Sequence, residues 1–151
     1  YYDVKDDRVV FPIHKNGRVV DAIGRSLFNN TAPKWYKYGK NCSYYAHTLH
    51  ISDVFTAVLV EDVISAITVA NYFPVTGFGI LGTSLQQEHL YALSDFDRVV
   101  VALDPDASKK ALEHAKDLNS YVKEVRVLKL KDDLKYKSLE DFNKLQEVLN
   151  D

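Results

Sequence analysis

Val54-Phe-Thr-Ala-Val-Leu-Val60, running straight into Glu61-Asp62, decides how this chain is built. Its apolar residues are continuous rather than alternating, the pattern of a strand covered on both faces of a parallel sheet. Downstream, Val63, Ala66, Ile67 and Ala70 recur at helical spacing from Asp62 to Asn71. Gly77-Phe-Gly-Ile-Leu81 then reads as a second strand, and Thr83-Ser84-Leu-Gln-Gln87 as a capping box opening a helix to about Leu93. Arg98-Val-Val-Val-Ala-Leu103 is the clearest strand, followed by a helix over Ala107 to Leu118. A fourth strand is expected within Val122 to Leu130, and Ser138-Leu-Glu-Asp141 caps a last helix to about Leu149. Strands alternating with helices predict an α/β domain over 54–151, with a mainly parallel four-stranded sheet flanked by helices.

The upstream part differs. Arg8-Val-Val-Phe-Pro-Ile13 and Arg18-Val-Val-Asp-Ala-Ile23 flank His14-Lys15-Asn16-Gly17, and the Asn-Gly pair predicts a hairpin. Residues 25–50 are aromatic and turn-rich without a clear period, so 1–53 is expected to form a small β-rich basic segment. Its 8 Lys and Arg stand against 4 Asp in residues 1–50, whereas residues 51–151 carry 11 against 17. Lys15, Arg18, Arg25, Lys34, Lys37 and Lys40 alternate with Phe28, Trp35, Tyr36 and Tyr38. Cations among aromatic faces suit single-stranded nucleic acid. A solvated basic surface over core aromatics has the same composition.

The 151 residues are 46% hydrophobic, enough for a core. No apolar run approaches the ~20 residues of a membrane span, and the charged start lacks the apolar stretch of a signal peptide. Methionine is absent, so a piece of a longer protein is expected. One cysteine, Cys42, forms no internal disulfide and suits a reducing cytoplasm. Cys42, His47 and His50 supply too few ligands, at the wrong intervals, for zinc, and none is expected in this segment.

Two strands end in acid. Val60 leads to Glu61 and Asp62, and Leu103 to Asp104-Pro105-Asp106. Ligands of open α/β sheets bind outside the carboxyl ends of the strands, and neighbouring tips bring such acids within reach of one cation. Oxygen donors of this kind suit Mg²⁺ or Mn²⁺. Asp62 and Asp106 equally suit helix N-termini. Gly77-Phe-Gly79-Ile-Leu-Gly82 satisfies G-x-G-x-x-G, but a helix and Pro74 precede it, so no dinucleotide site is expected.

Leu59-Val60-Glu61-Asp62, Leu81-Gly82-Thr83-Ser84-Leu85 and Val99-Val-Val-Ala-Leu-Asp104-Pro105-Asp106-Ala107 resemble, in order and spacing, the signatures of primase TOPRIM (topoisomerase–primase) domains. Arg8-Val-Val-Phe-Pro-Ile13, Gly24-Arg25-Ser26-Leu27 and Pro33-Lys34-Trp35-Tyr36 resemble the segment before TOPRIM in bacterial and phage DNA primases. The resemblance implies a Rossmann-like TOPRIM fold and RNA primer synthesis from NTPs on a single-stranded DNA template in the cytoplasm. A replicative helicase is a further partner of that family. It implies Glu61, Asp104 and Asp106 as catalytic ligands of two Mg²⁺ or Mn²⁺ ions, with Asp62 and Asp132 as further metal candidates. Arg25, Lys34, Lys37 and Lys40 become the candidate nucleic-acid or nucleotide contacts. The family's glycine and later aspartate after the glutamate are here Asp62 and Ser65, and Lys131-Asp132-Asp133 is only a blurred third acidic motif. The family's zinc module has no counterpart in this segment, so little or no priming is expected of it alone. A TOPRIM nuclease or topoisomerase would share Glu61 and the D-x-D, though topoisomerases continue to an acid where this chain has Ser108. A non-catalytic nucleic-acid-binding module is another alternative; a phospho-receiver fits Glu61-Asp62 but not the D-x-D.

Overall fold

The chain divides into two compact units, Tyr1–Tyr44 and Tyr45–Asp151, in a computed structural model that describes residues 1–28, 31–49 and 54–151. In the first unit β1 (Tyr2–Asp3), β2 (Arg8–Lys15), β3 (Arg18–Ser26) and β4 (Trp35–Lys37) form an antiparallel sheet in chain order. Lys15 pairs with Arg18, which leaves Asn16 and Gly17 as a two-residue loop with φ of 51° and 73°. Positive φ at both positions gives the turn whose twist matches the strands it joins, and it favours Asn-Gly. Asp21 accepts hydrogen bonds from the N–H groups of Ala22 and Asn41, both at 2.7 Å, and so pins the loop after β4. Cys42 is buried and donates to the Ala22 carbonyl at 3.1 Å; burial pushes its thiol pKa up. His47 falls in the other unit, His50 lies outside the described residues, and no group of three His, Cys, Asp or Glu among the described residues is placed to hold a metal.

The second unit has a five-stranded sheet in the order β5 (Tyr45–His47), β7 (Thr76–Gly79), β6 (Thr56–Val60), β8 (Arg98–Val101), β9 (Glu124–Val127). β7, β6, β8 and β9 are parallel, and β5 joins antiparallel to β7. The sheet therefore has one strand more than the four predicted, drawn from the stretch expected to be irregular. β5 pairs Tyr45 with Gly79 and His47 with Gly77, satisfying the outer backbone edge of β7. Helices α1 (Val63–Tyr72) and α4 (Leu139–Asn150) pack on one face, where Val58, Val60, Ala66, Val69, Val100 and Leu145 lie in one buried cluster. Helices α2 (Gln87–Leu93) and α3 (Ser108–Leu118) complete the unit; Phe78 of β7 meets His89 of α2 edge to face. The Gln86 N–H donates to His89 Nδ1 at 2.8 Å, so the start of α2 is organised by this pair rather than by Thr83 and Ser84.

The first two glycines of the apparent dinucleotide motif have a packing role. A Cβ at Gly77 would lie 1.9 Å from the Ala66 carbonyl oxygen, because α1 crosses β7 backbone to backbone. Gly79 faces the Asp62 carbonyl at 3.0 Å in the same sense. They are strand glycines under a helix and form no phosphate cradle.

Candidate active site

β6 is followed by α1 and then β7 on one side, whereas β8 is followed by α3 and β9 on the other. The order reverses between β6 and β8, which opens a crevice at their carboxyl ends. Glu61 is the residue after β6, and Asp104 follows β8 by a short extension. The Leu81 N–H donates to the Glu61 carbonyl and the Ala102 N–H to the Leu59 carbonyl, fixing both tips to their neighbours. Pro105 starts a single 3-10 turn over Pro105–Ala107, closed by the Ala107 N–H on the Asp104 carbonyl at 2.9 Å. Asp104 is thus held extended at the head of a turn that runs directly into α3.

The two carboxyls are half-buried and share a hydrogen bond. Burial, then the Glu61 charge and its hydrogen bond, push Asp104 up to about 8. Glu61 is raised as well, through burial and the charges of Asp106, Asp133 and Asp62, although the hydrogen bond from Asp104 favours its ionised form. The pair holds one proton between two oxygens that cannot both ionise cheaply. A cavity of about 250 Å³ lies beside Asp104, walled by Leu103, Pro105, Ala111, Leu112 and Leu128. Asp106 is exposed, and its charge is felt by Glu61.

Asp62 is committed elsewhere. One oxygen caps α1 by accepting from the Ser65 N–H at 2.8 Å, and the other is paired with Lys135 Nζ at 2.8 Å. Of the two adjacent acids after β9, Asp132 is exposed while Asp133 is half-buried. Asp133 pairs with Lys135 at 3.1 Å, and its charge reaches Glu61 and Asp104. The loop owes this choice to the fully buried Asp141 of α4, which accepts the N–H groups of Lys131 and Asp132 at 2.8 and 3.0 Å. Burial disfavours the Lys135 charge, yet Asp62 and Asp133 outweigh it and hold its pKa above the ordinary lysine value. Asp133 and Lys135 are the members of the cluster that sequence reasoning missed.

In the first unit, Arg25 and Lys34 line one concavity of about 180 Å³ with Ser26 and Thr31. The Ser26 N–H bonds the Lys34 carbonyl at 3.0 Å, and the Arg25 guanidinium lies 5.4 Å from the centre of the Trp35 ring. Lys37 and Lys40 are exposed and do not line it.

A central crevice with an acidic residue on each of two strand tips, in a sheet of this order, defines a class: the α/β catalytic-core fold of DNA primases. Over this length the chain is similar to DNA primase. It is 30% identical over 141 residues to a DNA primase of Buchnera aphidicola subsp. Acyrthosiphon pisum, an overlap of 85% of this chain and 24% of that protein. The zinc-binding and RNA polymerase domains of the Aquifex aeolicus primase superpose with a TM-score of 0.75 at 26% identity, covering 95% of this chain and 40% of that one. A DnaG primase catalytic domain bound to single-stranded DNA superposes at 0.70 with 24% identity, over 93% of this chain and 51% of that one. The chain therefore spans about a quarter of the curated relative and about half or less of these solved cores. No protein-family model matches it.

Proposed function

We propose that this chain is the catalytic-core segment of a DNA primase, a nucleotidyltransferase that builds RNA primers from NTPs on a single-stranded DNA template. In this reading residues 54–151 are the TOPRIM domain, and residues 1–53 are the end of the subdomain before it. The proton-sharing Glu61–Asp104 pair at the β6/β8 crevice carries the proposal, together with likeness to primases over most of the chain. Half-buried carboxyls that share a proton fit a divalent cation, which would take the proton's place among hard oxygen donors. Glu61 and Asp104 would hold it, and Asp106 would have to turn toward the ion, since no three acids among the described residues are already grouped around one position; Mg²⁺ or Mn²⁺ suits such donors. When bound, the ion supplies the charge that acidifies a ribose 3′-hydroxyl and steadies the triphosphate.

The chain's own residues position the reactants. Arg25 and Lys34 offer cations to a phosphate of template or nucleotide, and the Trp35 ring backs the Arg25 guanidinium. Lys37 and Lys40 extend the basic track. Replacing Arg25 and Lys34 with Ala together should weaken binding of a single-stranded oligonucleotide about tenfold and lower the salt slope by about 1.4, as two lost phosphate contacts require. Fluorescence anisotropy at several salt concentrations measures both, and an unchanged slope removes these residues from the template path.

Chemistry is tested by extending an RNA primer already annealed to template, which bypasses initiation. With Mn²⁺ and NTPs the chain should add nucleotides slowly, and Glu61→Gln should lower the rate at least a hundredfold. No addition by a chain that binds both Mn²⁺ and template would overturn the proposal.

A further inference from the structure

We infer that Lys135 is the resident cation of the acidic cluster and limits the nucleotide-free chain to one tightly held divalent ion. The inference rests on the acidic crevice being a divalent-ion site, as proposed above, and adds what that proposal leaves open, the number of ions. Five carboxylates belong to the cluster: Glu61, Asp62, Asp104, Asp106 and Asp133. They fall into two sets. Glu61 and Asp104 share a hydrogen bond, Glu61 feels the Asp106 charge, and Asp104 feels the Lys135 charge without forming a salt bridge among the described residues. Asp62 and Asp133 are bridged by one ammonium, Lys135 Nζ, at 2.8 and 3.1 Å.

The ammonium is built in. The Lys135 side chain is only 18% exposed, and those of Asp62 and Asp133 are 15% and 21% exposed. It rides on a 3-10 turn, Leu134–Tyr136, whose Leu134 is buried in the main core cluster. Lys137, with φ of 55°, closes that turn by donating its N–H to the Leu134 carbonyl. Asp141 clamps the preceding residues. The lysine therefore does not swing freely out to water, as a surface ion pair would. Asp62 also engages its second oxygen at the N-terminus of α1, so both of its oxygens already have a partner that a metal would have to share or displace. The residue three after Asp62, Ser65, is buried and brings a hydroxyl without a partner in place of a charge.

A second divalent ion at Asp62 and Asp133 would have to expel a partly buried ammonium or sit beside it against a like charge. Glu61 and Asp104 feel less of it: Asp104 senses the Lys135 charge, but no ammonium would have to be expelled from between them. A second ion would need the triphosphate, whose oxygens would supply the charge that Lys135 cancels at Asp62 and Asp133. Lys135 is accordingly a positioning residue: it orients Asp62 and Asp133 without touching the reacting atoms.

The experiment counts Mn²⁺ ions per chain by paramagnetic resonance of the free ion, without nucleotide. Wild type should hold one ion, with any second at least tenfold weaker. Lys135→Met should bring the second within threefold of the first, and Lys135→Arg should restore a single tight ion. Two ions of similar affinity in wild type would overturn the inference whatever the variants do. So would a folded Lys135→Met protein, verified by circular dichroism, that still holds one. No ion at all in wild type would instead remove the metal-site proposal itself, which keeps the two failures apart.

Discussion

Asp104→Asn should make the ion-free protein more stable at pH 8 while removing its Mn²⁺ binding. The wild-type carboxyl has a folded pKa of about 8, raised well above its ordinary value by burial and by Glu61. The folded state therefore binds this proton more tightly than the unfolded chain does. Stability is undiminished below the ordinary carboxylate range and falls as pH rises from about 4 through about 8. The amide carries no charge, so the variant escapes the loss, and the two proteins should differ most above pH 8. Half-exposure of the pair screens the effect, leaving a gain on the order of 1–2 kcal/mol, a few degrees in Tm. Adding Mn²⁺ reverses the ranking, since only wild type gains from binding. Thermal melts at pH 5 and pH 8, with and without Mn²⁺, together with calorimetric titration, measure all of this. A variant that melts no higher at pH 8, or binds Mn²⁺ as well as wild type, would show that the two acids do not share a site.

Gly77→Ala should have the largest effect of any glycine-to-alanine change in the chain. The new Cβ would meet the Ala66 carbonyl oxygen at 1.9 Å and its carbon at 2.5 Å, both backbone atoms of α1 that no rotamer change moves. β7 cannot retreat either, because Gly77 pairs with Val58 on one side and His47 on the other. Relief requires lifting α1 off the sheet, which opens the core around Ala66 and Val69. The expected cost is about 4 kcal/mol or more, enough to unfold a domain of ordinary stability. Urea denaturation followed by circular dichroism measures it, and a loss below about 1 kcal/mol would mean the helix stands farther from the strand. Since Asp62, the residue after Glu61, caps α1, the same clash would disturb the crevice as well.

The parts legible in the sequence were those whose signal is local. The run to Val60 and Arg98–Leu103 announce strands because their neighbours on both faces are apolar, and Asn16-Gly17 announces its turn because few other pairs accept positive φ twice. Glu61 and Asp104 were legible for a related reason: an acid immediately after a buried strand has only the sheet's open end to occupy. β5 was not, since Tyr45-Ala46-His47 is three residues long and owes its extended form to the free edge of β7. The start of α2 was misplaced by the Ser-Thr rule because His89 organises the cap through a ring nitrogen. The choice of Asp133 over Asp132 was beyond sequence reasoning. Adjacent acids have identical composition, and only the turn held by Asp141, a residue of the last helix, decides which faces inward.

The short antiparallel strand Tyr45–His47 has a practical corollary for anyone dissecting the chain. A boundary drawn where composition changes, near residue 54, would strip a protective border from the parallel layer and leave the amides and carbonyls of Thr76–Gly79 available to a neighbouring molecule. Recombinant pieces meant to isolate the acidic half should begin no later than Tyr45, lest self-association be mistaken for an intrinsic oligomer.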